Sequence, residues 1–326
     1  MLAGRDGERL KPLAAELDCP TRPFALEDQN ATFRALENVP AVLNCAGPFA
    51  DTAAPMMQAC LASKAHYLDI TGEIDVFEQA NALDAQAKRA AVVLCPGVGF
   101  DVVATDCLAA LLQEALPEAT YLALGFDTRA GPSPGTARTM LRGLALGGRI
   151  RSAGRIIAVP LVFRTRRIDF GRGPTDAMTI PWGDVSTAFH TTGVPNIEVY
   201  VPVSQGAQRR LRVVALARPL LRSKTVQRLL ERRILATVHG PGEAARASAP
   251  VHVWGEVRDP RGAVRVARMR TANGYTFTRY AAVGVLRELL DRPHAGGFAT
   301  PSMLVGAGFA ASLPGSSPPR ITAEEG

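Results

Sequence analysis

The first 118 residues repeat one pattern: a short apolar run, a turn, then apolar residues at helical spacing. The runs are Met1–Ala3, Arg22–Leu26, Ala41–Gly47, His66–Ile70 and Ala91–Cys95. Helical spacing follows over 6–17, 28–37, 52–63, 74–89 and 103–115. Strands without strict apolar–polar alternation are buried on both faces, and a helix after each one makes the connections right for parallel pairing. The expected fold class is therefore α/β, a doubly wound parallel sheet.

Such sheets bind ligands at the carboxyl ends of their strands, and the unusual residues of this chain gather there. Gly4-Arg5 follows the first run, where an arginine fork suits a phosphate. Asn44 interrupts an apolar strand, and Ala46 and Gly47 after it leave room for close approach of a ligand. Asp69-Ile70-Thr71-Gly72-Glu73 places two carboxylates at the next strand end, one of them expected to cap the following helix. Gly97-Val98-Gly99 has a GxG spacing, but Val102 stands where a glycine fingerprint needs a small residue, and four strand–helix units precede it. It is not read as the dinucleotide loop.

Beyond residue 118 the pattern changes to α+β. Alternating strands are expected at 120–126, 196–202, 250–258 and 263–270, with helices at 135–146, 185–192 and 276–291 and a turn at Pro132-Ser133-Pro134-Gly135. The charge changes too: residues 1–118 hold 8 basic and 17 acidic residues, the remainder 29 and 13. The expected domains are 1–118, 119–292, a segment 293–313 returning to the first domain, and a disordered tail 314–326. In 208–235 leucines and valines interleave with arginines, which reads either as a pair of solvated helices or as a peripheral contact with anionic lipid. No aromatic residue interleaves with these charges, so nucleic acid is not an expected partner. The five cysteines lack paired spacing and the five histidines are isolated, so neither disulfides nor a metal site are expected. The longest uncharged stretch, 293–319, is broken by proline and glycine, and the expected location is cytoplasmic, with a peripheral contact at the inner face of the plasma membrane as the lipid reading implies.

Leu2-Ala3-Gly4-Arg5-Asp6, Asn44-Cys45-Ala46-Gly47-Pro48-Phe49, His66 through Glu73, and Pro96 through Asp101 follow the order seen in the saccharopine dehydrogenase-like oxidoreductases. Pro181-Trp182-Gly183-Asp184, Trp254-Gly255 and Gly297 through Pro301 continue the agreement. The chain resembles most the trans-acting enoyl reductase branch. The resemblance implies a Rossmann-type domain using NADP (NADPH), joined to an α+β domain, with a homodimer as one compatible assembly. It also implies reduction of an enoyl group on a polyketide-type acyl substrate. By match to the family, Gly4 and Arg5 would face the 2′-phosphate, Asn44, Ala46 and Gly47 would flank the cofactor, and Gly72 and Glu73 would lie near the nicotinamide. The proton donor carries no motif; His190, Tyr200 and Asp101 are candidates by residue type. Saccharopine-type imine reduction and a non-catalytic scaffold are the alternatives. Family members start with a further strand and a GxxGxxG turn, so the expectation is a misassigned start codon at Met1. A chain truly beginning there would hold NADPH poorly.

Overall fold

The computed structural model describes residues 1–128, 134–216, 221, 223–238 and 249–324. The N-terminal region carries two parallel sheets. In the smaller, β1 (Leu2–Gly4) lies beside β2 (Thr21–Pro23), joined by α1 (Gly7–Glu16). Asp6 caps that helix by accepting from the amides of Glu8 and Arg9, as its position ahead of the apolar spacing predicts. Asp28 does the same for α2 (Gln29–Ala35).

The larger parallel sheet has β3 (Ala41–Asn44), β4 (His66–Asp69) and β5 (Val93–Cys95) side by side, with β14 (Gly297–Phe298) on the far edge. No ladder joins β1 or β2 to β3 among the described residues. Both faces of this sheet are covered, which is why its strands read as unbroken apolar runs. Tyr67 and Leu94 face α3 (Phe49–Ser63), α4 (Ile74–Ala82) and α5 (Asp84–Ala90), where Met57, Cys60 and Val76 complete the cluster. Leu68, Val93 and Cys95 point the other way, onto Ala282, Val285 and Leu289 of α11 (Gly274–Asp291).

That helix packs on both regions, since its Phe277 and Ala281 belong to the core under the second sheet. Residues 274–291, expected in the second domain, cover the first sheet, so the chain returns there about twenty residues earlier than its composition indicates. The stretch expected as one helix over 74–89 is two, broken at Leu83. The tail also departs from expectation. β15 (Arg320–Glu324) pairs antiparallel with β13 (Val264–Thr271), from Val264 opposite Glu324 to Arg268 opposite Arg320. Edge pairing is made by backbone groups, and a segment with Ile321 as its one large apolar side chain carries no compositional sign of it.

The second sheet is mixed. Its order is β15–β13–β12–β6–β11–β10–β9, with β6 (Tyr121–Asp127), β9 (Thr165–Asp169), β10 (Pro174–Ile180), β11 (Asn196–Pro202) and β12 (Val251–Arg258). The β6–β11 ladder is parallel and the others are antiparallel. A hairpin of β7 (Gly148–Ser152) and β8 (Arg155–Val159) branches from β11. One face packs on α6 (Phe100–Ala115) and α8 (Asp184–Thr192), burying Leu108, Leu112, Leu124, Val199 and Val253 in the largest core of the molecule. The other face carries Tyr200, Trp254, Ile168 and Phe170. Strands β7 to β10 were not expected from sequence. β7, β8 and β9 have five residues each and carry Arg149, Arg151, Arg155, Arg166 and Arg167, which hide apolar alternation; β10 has seven residues, but Pro174, Thr175, Asp176 and Thr179 leave it little apolar signal.

Three further helices lie in this half: α7 (Pro134–Leu146), α9 (Gln205–Leu216) and α10 (Lys224–Thr237). The last two account for the stretch 208–235, of which 217–220 and 222 lie outside the described residues, as do Pro132-Ser133 of the expected turn and His239. Two short helices, α12 (Pro301–Val305) and α13 (Phe309–Ser312), follow β14. No described helix is long and apolar enough to cross a membrane.

Candidate functional site

The carboxyl ends of β3, β4 and β5 are tied together by one hydrogen-bonded network. Asp69, fully buried at the end of β4, accepts from the Tyr67 hydroxyl at 2.7 Å and from the amides of Thr71 at 3.0 Å and Gly97 at 2.8 Å. Burial pushes its pKa up to about 6 against the pull of those donors. Asn44 donates to the hydroxyls of Thr52 and Tyr67, each at 3.3 Å, and its carbonyl oxygen accepts from the Ala46 amide at 3.0 Å. The polar side chain inside an apolar strand is thus spent on shaping the Ala46-Gly47 turn. A Cβ on Gly47 would meet the Phe49 ring at 3.6 Å, an ordinary contact.

Glu73 lies across the same turn. Its two carboxylate oxygens accept from the amides of Phe49 at 3.1 Å and Ala50 at 3.0 Å, closing the N-terminus of α3. Free helix amides favour a carboxylate there, and Glu73 caps α3 rather than its own helix α4. Desolvation still moves its pKa upward. Gly72, one residue back, is where the β4 loop meets the start of α6: a Cβ on Gly72 would stand 3.2 Å from Oδ2 of Asp101.

Two carboxyls at this junction lack a hydrogen-bond partner among the described residues, Asp101 and the fully buried Asp184; Asp101 is the one beside Gly72. Its carboxyl has no hydrogen-bond or ion-pair partner among the described residues, whereas its backbone carbonyl accepts from the Trp182 indole at 2.7 Å. Burial pushes its pKa up to about 7. Next to it in the chain, Phe100 belongs to an aromatic cluster of the core. The Phe100 ring stands edge-on to Phe126 and Phe277 at 5.7 and 5.8 Å, and Phe126 lies 5.2 Å from Trp182. Two carboxyls lie behind Asp101: Asp184, fully buried and raised well above the usual range by burial and by Asp106 and Asp101, and Asp106. Asp106 accepts from the Thr191 hydroxyl at 2.6 Å and the Ser302 amide at 2.8 Å, joining α6 to α8 and α12.

The structure does not bring the three proton-donor candidates together. Tyr200 lies on the opposite face of the large sheet, where its hydroxyl donates to Glu198 at 2.5 Å. Alternation along β11 sends Val199 to the core and Tyr200 away from it, so Tyr200 is not a donor at the strand ends. His190 stands in α8 with its ring 5.0 Å from Phe298 and its Nε2 3.9 Å from Glu78. Glu78 also receives the Ser186 hydroxyl at 2.5 Å and Arg151 at 3.3 Å. This cluster was not singled out from sequence. An arginine on a hairpin and a glutamate in a distant helix have no local pattern that pairs them.

Arg5 ends β1, exposed and without a hydrogen-bond or ion-pair partner among the described residues. Gly4 before it packs on Leu10, with a Cβ position 3.3 Å from Cδ2. Residues 1–95 match the family model of the saccharopine dehydrogenase NADP-binding domain. The chain is also 28% identical over 171 residues to a probable mitochondrial saccharopine dehydrogenase-like oxidoreductase of Arabidopsis thaliana, across 47% of this chain and 37% of that relative. It thus matches little more than a third of the length of that protein. Among solved structures, the apo saccharopine dehydrogenase (L-Glu forming) of Saccharomyces cerevisiae superposes with a TM-score of 0.63 at 10% identity, covering 98% of this chain and 93% of that one. A homospermidine synthase of Legionella pneumophila, in complex with NAD, gives 0.60 at 8% identity, over 99% and 84%. Both likenesses establish the Rossmann-like fold. The matched region offers residues that fit NADP: the exposed Arg5 guanidinium just past β1, without a partner among the described residues, to receive a phosphate, and the Ala46-Gly47 turn at the end of β3.

Proposed function

We propose that the chain is an NADP-dependent reductase in which Asp101 is the proton donor, and that its substrate is the α,β-unsaturated thioester of an acyl chain. The observation that carries this reading is the carboxyl of Asp101, without a hydrogen-bond or ion-pair partner among the described residues and held at the strand ends against Gly72. NADPH, when bound, supplies a hydride. Saturating a carbon–carbon double bond then requires a proton at the α-carbon. A carboxyl with a pKa of about 7 keeps that proton at neutral pH and still releases it readily. Arg5 and the Ala46-Gly47 turn would hold the cofactor, and Asn44 and Glu73 would fix that turn.

The same surroundings favour an uncharged reacting group. An amino-acid substrate needs free cationic groups for its carboxylates, and Arg142, the guanidinium that acts on Glu73, is already held by Asp51 and Glu231. Saccharopine-type imine reduction is the second reading, supported by the match of residues 1–95.

The deciding experiment follows NADPH consumption by the full chain. It is offered either a crotonyl thioester or an amino acid with an aldehyde acid, each with wild type and Asp101→Asn. Consumption with the thioester, lost in Asp101→Asn, supports the enoyl reading. Consumption only with the amino acid and aldehyde overturns it for the imine reading. NADPH binding without turnover of either would point to a non-catalytic role.

A further inference from the structure

The arginines on the outer face of the large sheet fall into two groups. Arg164 pairs with Glu198 at 2.6 Å, and Arg166 and Arg258 pair with Glu256 at 2.6 and 2.7 Å, each acid being almost fully buried beneath them. Each of these three guanidiniums thus has a carboxylate partner, Arg166 and Arg258 sharing one. At the sheet edge the matching does not continue. A cavity of about 360 Å³ between β9, β10 and the first turns of α9 is lined by Arg167, Arg209 and Arg212. None of the three has a hydrogen-bond or ion-pair partner among the described residues. The one acid in the lining, Asp176, is engaged by the Gln205 side-chain amide at 3.0 Å.

We propose that this cavity is a binding site for a phosphate-bearing ligand, separate from residues 1–95 and independent of the reductase reading. Three guanidinium forks on two different elements make a concave cationic site, and such forks match phosphate oxygens bidentately. The N-terminal end of the twelve-residue α9 adds its partial positive charge on the same side. Unpaired like charges gathered in a hollow repel one another, and an anion between them removes that cost. The hollow shares Thr165 and Arg166 with a second cavity of about 440 Å³, lined also by Tyr121 and Tyr200, so an ester larger than phosphate has an aromatic shelf to extend over. Two sources supply this chemistry: a free phosphate ester or the headgroup of an anionic lipid. Val213, 66% exposed, lies one helical turn from Arg209 and would face the bilayer in the second case.

The test measures binding of the full chain to glycerol 3-phosphate by calorimetry. In parallel, it measures binding to phosphatidylcholine vesicles with and without phosphatidylglycerol by co-sedimentation. Arg167→Gln and Arg209→Gln are compared with Arg209→Lys and with Arg261→Gln, an exposed arginine on the β12–β13 turn. Each Gln variant should weaken binding about tenfold or more, the size of a lost charge-assisted hydrogen bond. Arg209→Lys should fall between, Arg261→Gln should match wild type, and thermal melts should remain unchanged. Binding of glycerol 3-phosphate with this pattern identifies a free ester as the ligand; binding of phosphatidylglycerol vesicles alone, with the same pattern, identifies a headgroup. Binding of neither probe, or equal losses in Arg261→Gln and Arg209→Gln, overturns the proposal.

Discussion

Gly72 and Asp101 meet so closely that a methyl group on the glycine would stand 3.2 Å from Oδ2 of the carboxyl. The contact sets how far Asp101 can swing into the site. Gly72→Ala should leave the fold intact, because the obstructing atom belongs to a side chain, and should displace the carboxyl instead. The expected result is a kcat about tenfold or more lower, with little change in the NADPH dissociation constant. A loss of affinity with kcat unchanged would mean that Gly72 serves the cofactor and not the acid.

Asp101→Asn should reduce turnover about 100-fold or more, the usual worth of a positioned acid. In the wild type, the protonated form donates, so kcat should fall as pH rises through about 7. Stability carries the same sign. A carboxyl whose pKa is raised by folding stabilises the protein fully below the ordinary carboxylate range and loses that contribution as pH rises through about 7. Relative to wild type, Asp101→Asn should therefore gain about 1–3 kcal/mol between pH 5 and pH 8, since one pKa unit is about 1.4 kcal/mol. Denaturant melts at the two pH values measure it, and equal differences at both would show that Asp101 titrates normally.

Arg5 has no hydrogen-bond or ion-pair partner among the described residues, so its removal should not affect folding. Arg5→Ala should weaken NADPH binding about 10- to 100-fold, consistent with loss of a charge-assisted phosphate contact, and leave NADH binding unchanged. Fluorescence titration with the two nucleotides checks this. Equal losses for both would place Arg5 away from the 2′-phosphate.

Phe77 is a wedge. Its ring is fully buried, and a Cβ on Gly97 or on Gly183 would each stand 2.7 Å from it. Gly97 also sits at φ +77°, where a side chain is strained. Phe77→Ala should cost about 3–5 kcal/mol. Gly183→Ala should also destabilise, but the double variant Phe77→Leu/Gly183→Ala should lose less than the sum of its singles, because the smaller side chain vacates the space the methyl needs. Additive losses in urea melts would show that the two residues do not press on each other.

Much of the first region was legible. Asp6 and Asp28 marked helix starts, and the apolar runs marked β3, β4 and β5, because burial on both faces leaves only one kind of residue tolerable there. Asn44 was legible as an anomaly, yet its use was not: whether an amide faces a ligand or its own turn depends on Thr52 and Tyr67, and nothing local connects them to it. One of the carboxylates Asp69 and Glu73 was expected to cap the following helix, and Glu73 caps α3 instead. Tyr200 was a donor by residue type, and strand register put it on the wrong face.

The sequence by itself determined the alternation of strand and helix, the charge contrast between the two regions and the positions of the strand ends, since each depends on neighbours within a few residues. The tertiary structure alone decided that α11 covers the first sheet, that 320–324 closes the edge of the second, and that Asp101 stands without a partner while Asp69 and Asp106 are satisfied. Those outcomes depend on which groups arrive at the same place from far apart in the chain. Desolvation and pairing act on that proximity, and residue identity alone does not encode it.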